Sequence, residues 1–172
     1  VGDIESYRGY SQVLSAFELL WSRGNDLRLL IVGRPRYTNA QPLKKIRRRS
    51  RRDNRLVWLD NPTHEALCEV SSVSWCILTA SEAAELDPSP AIAARHKLPL
   101  LARDTPMLRE LAGDRASFFQ AMTVEELAEA ITGWIALHTS RHQLKPHKTS
   151  QPLWEQPAER LKAIVFEHRW NM

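Results

Sequence analysis

At 172 residues, with a formal charge of +4, 43% hydrophobic and 26% charged residues, the chain has the size and balance of one globular domain with a single core. No stretch approaches the roughly 20 apolar residues of a membrane span. The two cysteines, Cys68 and Cys76, match no metal-ligand spacing and are expected as buried thiols in a reducing compartment, which argues against a disulfide framework.

The opening "VGDIES" carries no secretory leader pattern and reads as the tail of a strand, so a longer polypeptide with an N-terminal half ahead of it is expected. In "YSQVLSAFELLWSRG", Val13, Leu14, Phe17, Leu20 and Trp21 recur at spacings of three and four, which predicts an amphipathic helix closed by Gly24. Residues 27–33, "LRLLIVG", form a continuous apolar run of strand length, as expected of a strand covered on both faces. "QPLKKIRRRSRR" predicts a polar helix docked only through Leu43 and Ile46. Next come a strand over 55–60, a helix over 62–73 with Thr63 as its cap, and a buried strand over 74–81. A short helix over 90–97 leads to a strand in 98–104, a helix in 105–113 and a strand in 115–120. The segment 123–138, "TVEELAEAITGWIALH", opens with a capping-box pattern and continues as an amphipathic helix. Residues 139–152 are polar and proline-bearing, a predicted loop or linker before a last helix over 153–172.

Strands alternating with helices of this length predict right-handed βαβ units and a doubly wound parallel sheet, an α/β fold. In such sheets ligands bind beyond the carboxyl ends of the strands, where loops meet helix N-termini. Four segments qualify: "GDIESYRG", "GRPRY", "DNPTHE" and "SEAAELDPSP". Acids at one strand end and a cation at another suit a polyol phosphate, because carboxylates accept from sugar hydroxyls while arginine takes the phosphate. Glu82, Glu85 and Asp87 are the candidate acids and Arg8 or Arg34 the candidate cation. His64, His96 and His138 show no ligand spacing, and there is no nucleophile elbow, P-loop or dinucleotide fingerprint.

The order and spacing of "GDIESYRGYSQVLSAFELLWSRG", "LRLLIVGR", "RLVWLDNPTHEAL", "LPLLARDTPMLRELAGDRASFF" and "LWEQPAERL" resemble the C-terminal, donor-binding half of family-4 (group 1) retaining glycosyltransferases over nearly the whole chain. The resemblance implies one Rossmann-like half of a GT-B fold, a nucleotide-sugar donor, no metal or other cofactor, and an acceptor held largely by the N-terminal half. It assigns catalytic positions to Arg8, on the departing phosphate, and Glu85, on the donor sugar. Gly2, Arg8, Gly9, Glu85, Pro90 and Ile92 are placed around the donor. The family's loop E-G-F-G-x-P-x-x-E falls on Glu85 to Ala93, where Leu86 and Pro88 replace the two glycines and Ala93 the second, ribose-binding glutamate. Glycine permits close backbone approach and proline removes an amide donor, while alanine accepts no side-chain hydrogen bond. Asp3 stands where many relatives carry arginine.

Two functions follow from the resemblance and its departures: the donor half of an active transferase in polysaccharide or glycoconjugate synthesis, or a degenerate transferase domain that serves as a binding or assembly module. The run "KKIRRRSRR", residues 44–52, holds the whole cationic excess. It reads as a solvated helix face that can meet an anionic surface, and it lacks the interleaved aromatics of a single-strand binder, which argues against nucleic acid. The expected location is cytoplasmic or peripheral at the membrane.

Overall fold

The computed structural model describes residues 1–36, 41–82 and 87–140. Five parallel strands alternate with six helices: α1 Tyr10–Ser22, β1 Leu29–Val32, α2 Gln41–Ser50, β2 Leu56–Leu59, α3 His64–Ser72, β3 Ile77–Thr79, α4 Ser89–His96, β4 Leu100–Arg103, α5 Pro106–Ala112, β5 Ala116–Phe119 and α6 Val124–Ser140. A 3-10 turn, Ser6–Arg8, precedes α1, and a second, Gly113–Arg115, precedes β5.

Every expected strand and helix among the described residues is present, with shifted ends that have local causes. Strand β3 starts at Ile77 because Ser74 wraps the end of α3, its Oγ donating to the Val70 carbonyl at 2.6 Å. Strand β2 starts at Leu56 because Asp53 turns the chain, accepting from the Arg55 backbone at 3.0 Å. Helix α2 stops at Ser50 where Arg52 N–H turns back to the Arg49 carbonyl, and α6 runs to Ser140, past the expected start of the linker at 139. The rest of that linker and the expected helix over 153–172 lie outside the described residues.

The caps follow the sequence pattern. Thr63 Oγ1 accepts from Ala66 N–H at 3.2 Å. At α6, Thr123 Oγ1 accepts from Glu126 N–H, while the Glu126 carboxylate accepts from the Met122 and Thr123 amides at 2.7 and 3.1 Å. That is a reciprocal capping box, which satisfies donors the first helical turn leaves without partners.

The strands form two parallel ribbons, β1–β2 and β3–β4–β5, rather than one continuous sheet. Beside the end of β1 lies the chain's first segment, with Gly2 N–H donating to the Val32 carbonyl and Ile4 N–H to the Arg34 carbonyl, both at 2.9 Å. Side chains alternate between two cores, as the period of a strand requires. On β4, Leu101 enters the core built by α1, α2 and α6, whereas Leu100 and Ala102 enter the core shared with α4 and α5. Helices therefore cover both faces, the doubly wound arrangement expected. Helix α1 presents Val13, Leu14, Phe17, Leu20 and Trp21 to the first core and packs along α6. Burying a leucine or phenylalanine this fully contributes about 1.5–3 kcal/mol, so this stripe, more than helix propensity, holds α1 in place.

The basic run lies on α2 as the periodicity predicts: Leu43 and Ile46 are buried, and Lys44, Arg47, Arg48, Arg51 and Arg52 are exposed. Part of the run is engaged within the fold. Lys45 pairs with Glu18 at 3.4 Å, Arg49 with Asp53 at 2.7 Å, and the Arg49 guanidinium lies 5.2 Å from the Trp21 ring centre. The two thiols depart from expectation, since both are only half-buried. Cys68 faces the His64 ring at 3.6 Å, and burial pushes the Cys76 thiol up to about 11.

Candidate functional site

The candidate site lies at the carboxyl ends of the strands, and the loop from Gly2 to Gly9 is its centre. After pairing with β1, this loop turns through Ser6–Arg8 and enters α1 at Gly9. Its far side is tied to the loop after β3, where Glu82 N–H donates to the Tyr7 carbonyl at 3.0 Å. Gly9 has φ of +71° and lies so close to that loop that a Cβ would stand 2.3 Å from the Ala80 carbonyl oxygen. Only glycine fits both the backbone angle and the space. Gly9 thus sets the start of α1 against the end of β3 and is itself buried.

Arg8 is held in this crevice. Its side chain is 12% exposed and lies 3.7 Å from the carboxylate of Glu5, itself 4% exposed. Glu5 also accepts from the Tyr7 hydroxyl and pairs with Arg36 at 3.3 Å. The Arg8 Nε is buried with no hydrogen-bond partner among the described residues, which leaves a cation with unused donor capacity. A side chain at Gly2 would meet Arg8 Nη1 at 3.7 Å and Pro88 Cγ at 3.6 Å. Gly2, Arg8 and Pro88 therefore come together, from the first segment, the turn before α1 and the turn before α4. Tyr10 completes this side, its hydroxyl donating to the Gly2 carbonyl at 2.7 Å, with burial as the main cause pushing its pKa up.

The other candidates divide sharply. Asp3 pairs with Arg34 at 3.2 Å, so its carboxylate is matched by the arginine at the end of β1. Arg34 is 68% exposed and joins the site's edge in that pair. Asp87 does not present a free carboxylate: it is 5% exposed, accepting from Thr79 Oγ1 at 2.6 Å and from Ser89 N–H at 2.8 Å. It anchors the start of α4 to β3, so this candidate acid is engaged within the fold instead of being turned to a sugar. Glu82 is 64% exposed and lies 3.7 Å from Arg103. Glu85 and Leu86 lie outside the described residues.

Helix α4 begins at Ser89 just after the site and carries Pro90 buried in its first turn. Ile92 and Ala93 pack on the second core, Ala93 against a cluster with Ile77, Leu100 and Ala102. A carboxylate at 93 would therefore enter an apolar core, where an unpaired charge is strongly disfavoured. Alanine is the residue this position requires in the present packing.

Two residues that sequence reasoning passed over hold the site together. Glu5 has a signal in hindsight, the Glu-x-x-Arg spacing within "GDIESYRG". Arg103 ends an otherwise apolar strand, and its guanidinium reaches three elements: Nε donates to the Ala80 carbonyl at 3.1 Å, Nη1 to the Ala121 carbonyl at 2.7 Å, and Nη2 to Gln12 Oε1. Among the described residues, His64 lies against Arg95 and His138 stacks on Trp134, both away from this loop.

Comparison with known proteins gives this arrangement a context. Residues 1–151 match the family described as glycosyl transferases group 1. Two curated relatives, each named serotype-specific mannosyltransferase WbdA, from Escherichia coli, are 32% identical over 159 residues and 31% identical over 161 residues. These alignments cover 92% and 94% of this chain and 20% of each relative. The chain thus spans about a fifth of the length of the curated relatives it matches.

Proposed function

The chain belongs to the group 1 glycosyl transferases, and from that premise we propose that it is the donor-binding half of a retaining enzyme that transfers a sugar from a nucleotide to an acceptor in polysaccharide or glycoconjugate synthesis. The family match across residues 1–151 carries this reading. The relatives' name makes mannose the sugar we propose. In this reading residues 1–138 bind the nucleotide sugar and an N-terminal half holds the acceptor.

In this reading Arg8 and the first amides of α1 receive the donor diphosphate, because a helix N-terminus and a guanidinium together favour an anion. The pairing of Arg8 with Glu5 supports the role by fixing the guanidinium before ligand arrives, which lowers the ordering cost of binding. Gly2 lets the backbone approach the phosphates, Gly9 sets the helix start, and Pro90 and Ile92 seat α4 beneath the donor. Glu85 meets sugar hydroxyls. No metal takes part, the leaving diphosphate being neutralised by Arg8 and backbone amides. No helix among the described residues is long and apolar enough to cross a membrane; contact with an anionic membrane surface is assigned to the exposed part of 44–52.

Calorimetric titration of the chain with a panel of nucleotides and nucleotide sugars tests the proposal. Binding is expected for a nucleoside diphosphate and for its mannose conjugate. Arg8→Ala should weaken both about 10–100-fold, as expected from losing a charged hydrogen bond of about 1.5–3 kcal/mol. Absence of heat with millimolar ligand overturns the donor-site reading.

A further inference from the structure

Among the described residues at the carboxyl ends of the strands, Glu5 is the acid that two arginines share. Its side chain is 4% exposed, with Arg8 Nε 3.7 Å from one carboxylate oxygen and Arg36 Nη1 3.3 Å from the other. The neighbouring acids are matched singly or turned inward. Asp3 pairs with Arg34 at 3.2 Å and Glu82 with Arg103 at 3.7 Å, while Asp87 accepts from Thr79 and Ser89. A guanidinium stays protonated at any ordinary pH, and one carboxylate cannot neutralise two of them. Positive charge is therefore left over at Glu5.

The two arginines reach Glu5 from different segments. Arg8 comes from the turn before α1, whereas Arg36 follows β1. Backbone pairing fixes the two loops side by side: Ile4 N–H donates to the Arg34 carbonyl at 2.9 Å, and Ile4, itself fully buried, bridges to Pro35 in parallel register. The exposures of the two side chains differ, 12% for Arg8 and 56% for Arg36. The inner guanidinium is set in the crevice, and the outer one lies at its mouth. The planar fork of an arginine can hold a carboxylate with one edge and an incoming phosphate with another. Placed on the two oxygens of one carboxylate, the two guanidiniums are close enough for a single diphosphate to meet both.

We propose that Arg36 is a second cation for the donor diphosphate, carried in from the loop after β1 and held ready on Glu5 beside Arg8. This deepens the donor-site reading and rests on it. Arg8 and the first amides of α1 form the fixed inner part of the anion site, and Arg36 closes on the diphosphate from the solvent side. The ligand class is a nucleoside diphosphate, free or esterified to a sugar, and the shared carboxylate keeps the two cations from repelling each other before it arrives.

Titration with inorganic pyrophosphate, followed through the amide NMR signals of Gly9 and Tyr10 at two ionic strengths, tests the subsite without a base or a sugar. Arg36→Gln keeps an N–H donor for Glu5 and removes the charge. Pyrophosphate affinity is expected to fall about 10-fold in this variant, and its dependence on ionic strength to become shallower. Arg36→Lys should restore that dependence and part of the affinity. Arg23→Ala, which removes one exposed charge at the far end of α1, should change neither. Parental affinity in Arg36→Gln overturns the proposal, as does the absence of any shift in the parent with millimolar pyrophosphate. A loss of affinity with unchanged salt dependence also overturns it, because Arg36 would then only support the loop. Arg36-dependent pyrophosphate binding in a chain that gives no heat with nucleotide sugars leaves the two-arginine anion site in place and overturns the donor reading. Nucleotide-sugar binding that is lost in Arg8→Ala and kept in full in Arg36→Gln does the reverse.

Discussion

The Nε of Arg103 donates to the carbonyl oxygen of Ala80 at 3.1 Å, joining the end of β4 to the end of β3. The same guanidinium reaches Ala121 after β5 and Gln12 of α1. One buried cation thus collects four segments directly beneath the loop that carries Arg8. Replacing it with methionine takes the side-chain donor from the buried Ala80 carbonyl, a loss of about 1–3 kcal/mol, and leaves the Ala121 carbonyl the longer bond from Gln12 Nε2 at 3.3 Å. Arg103→Met is therefore expected to lower stability by about 1–3 kcal/mol, and Arg103→Lys to recover only part, because an ammonium lacks the planar fork that spans three acceptors. Urea denaturation reads both, and a methionine variant as stable as the parent would remove Arg103 from this role.

Gly9→Ala is expected to cost about 1–3 kcal/mol, the usual range for forcing extra atoms into a packed site. The added Cβ would collide with the Ala80 backbone, which cannot swing away as a flexible side chain can. Because the start of α1 must then shift, nucleotide affinity should fall together with stability. Gly24→Ala has open space around it but a left-handed backbone, so it should lose some stability through strain and keep full affinity.

Acid should unfold the chain partly through Asp104. Hydrogen bonds from Arg109, then Gln120, hold its carboxyl down to about 2. A free aspartate lies near 3.9, so the unfolded chain takes the proton first. The stabilisation is complete above about pH 4 and is lost as pH falls through about 2. Glu126 adds in the same direction, lowered chiefly by the backbone amides of Met122 and Thr123. Urea midpoints measured from about pH 6 to 2 should fall on the acid side, and Asp104→Asn should flatten that fall. An unchanged acid slope in the variant would count against the assignment.

The two thiols should differ in reactivity. At pH 8 a group at about 11 is ionised in about one molecule in a thousand, so Cys76 should react slowly with a disulfide reagent. Cys68, half-buried in the middle of α3 beside His64, should supply the fast phase. Stopped-flow traces of Cys68→Ser and Cys76→Ser assign the phases, and a fast phase that survives in Cys68→Ser would reverse the order.

Within the basic run, neutralisation should separate surface charge from structure. Arg48→Ala is expected to leave the thermal midpoint unchanged, since its side chain is exposed. Arg49→Ala should lower it, because that side chain pairs with Asp53 and covers Trp21. Calorimetric scans compare the two directly, and equal midpoints would make the run uniform.

Much of the fold was legible because its signals are local. The 3.6-residue spacing of Val13, Leu14, Phe17 and Leu20, the Thr123 and Glu126 box, and the unbroken apolar run of β1 each act within a few residues, and each produced the expected element. Arg8 was a candidate both from its place in a loop at a strand end and from the family's spacing, and its burial against Glu5 was legible from neither. What lay beyond local reading were the fates of the acids. Asp3, Glu5 and Asp87 have the same chemistry on the page, yet one pairs with Arg34, one fixes Arg8 and Arg36, and one is buried under α4.

The amino-acid sequence by itself determined the order of strands and helices, the covering of the sheet on both faces, the caps and the family, since periodicity, capping chemistry and motif spacing need no distant partner. Only the tertiary structure decided that Ala93 belongs to a core, that Asp87 anchors a helix and that Arg103 binds four segments together. Each of these depends on which backbone groups and charges meet across chain separations of up to about a hundred residues. The desolvation that makes such pairings obligatory arises only once the layers have closed around them.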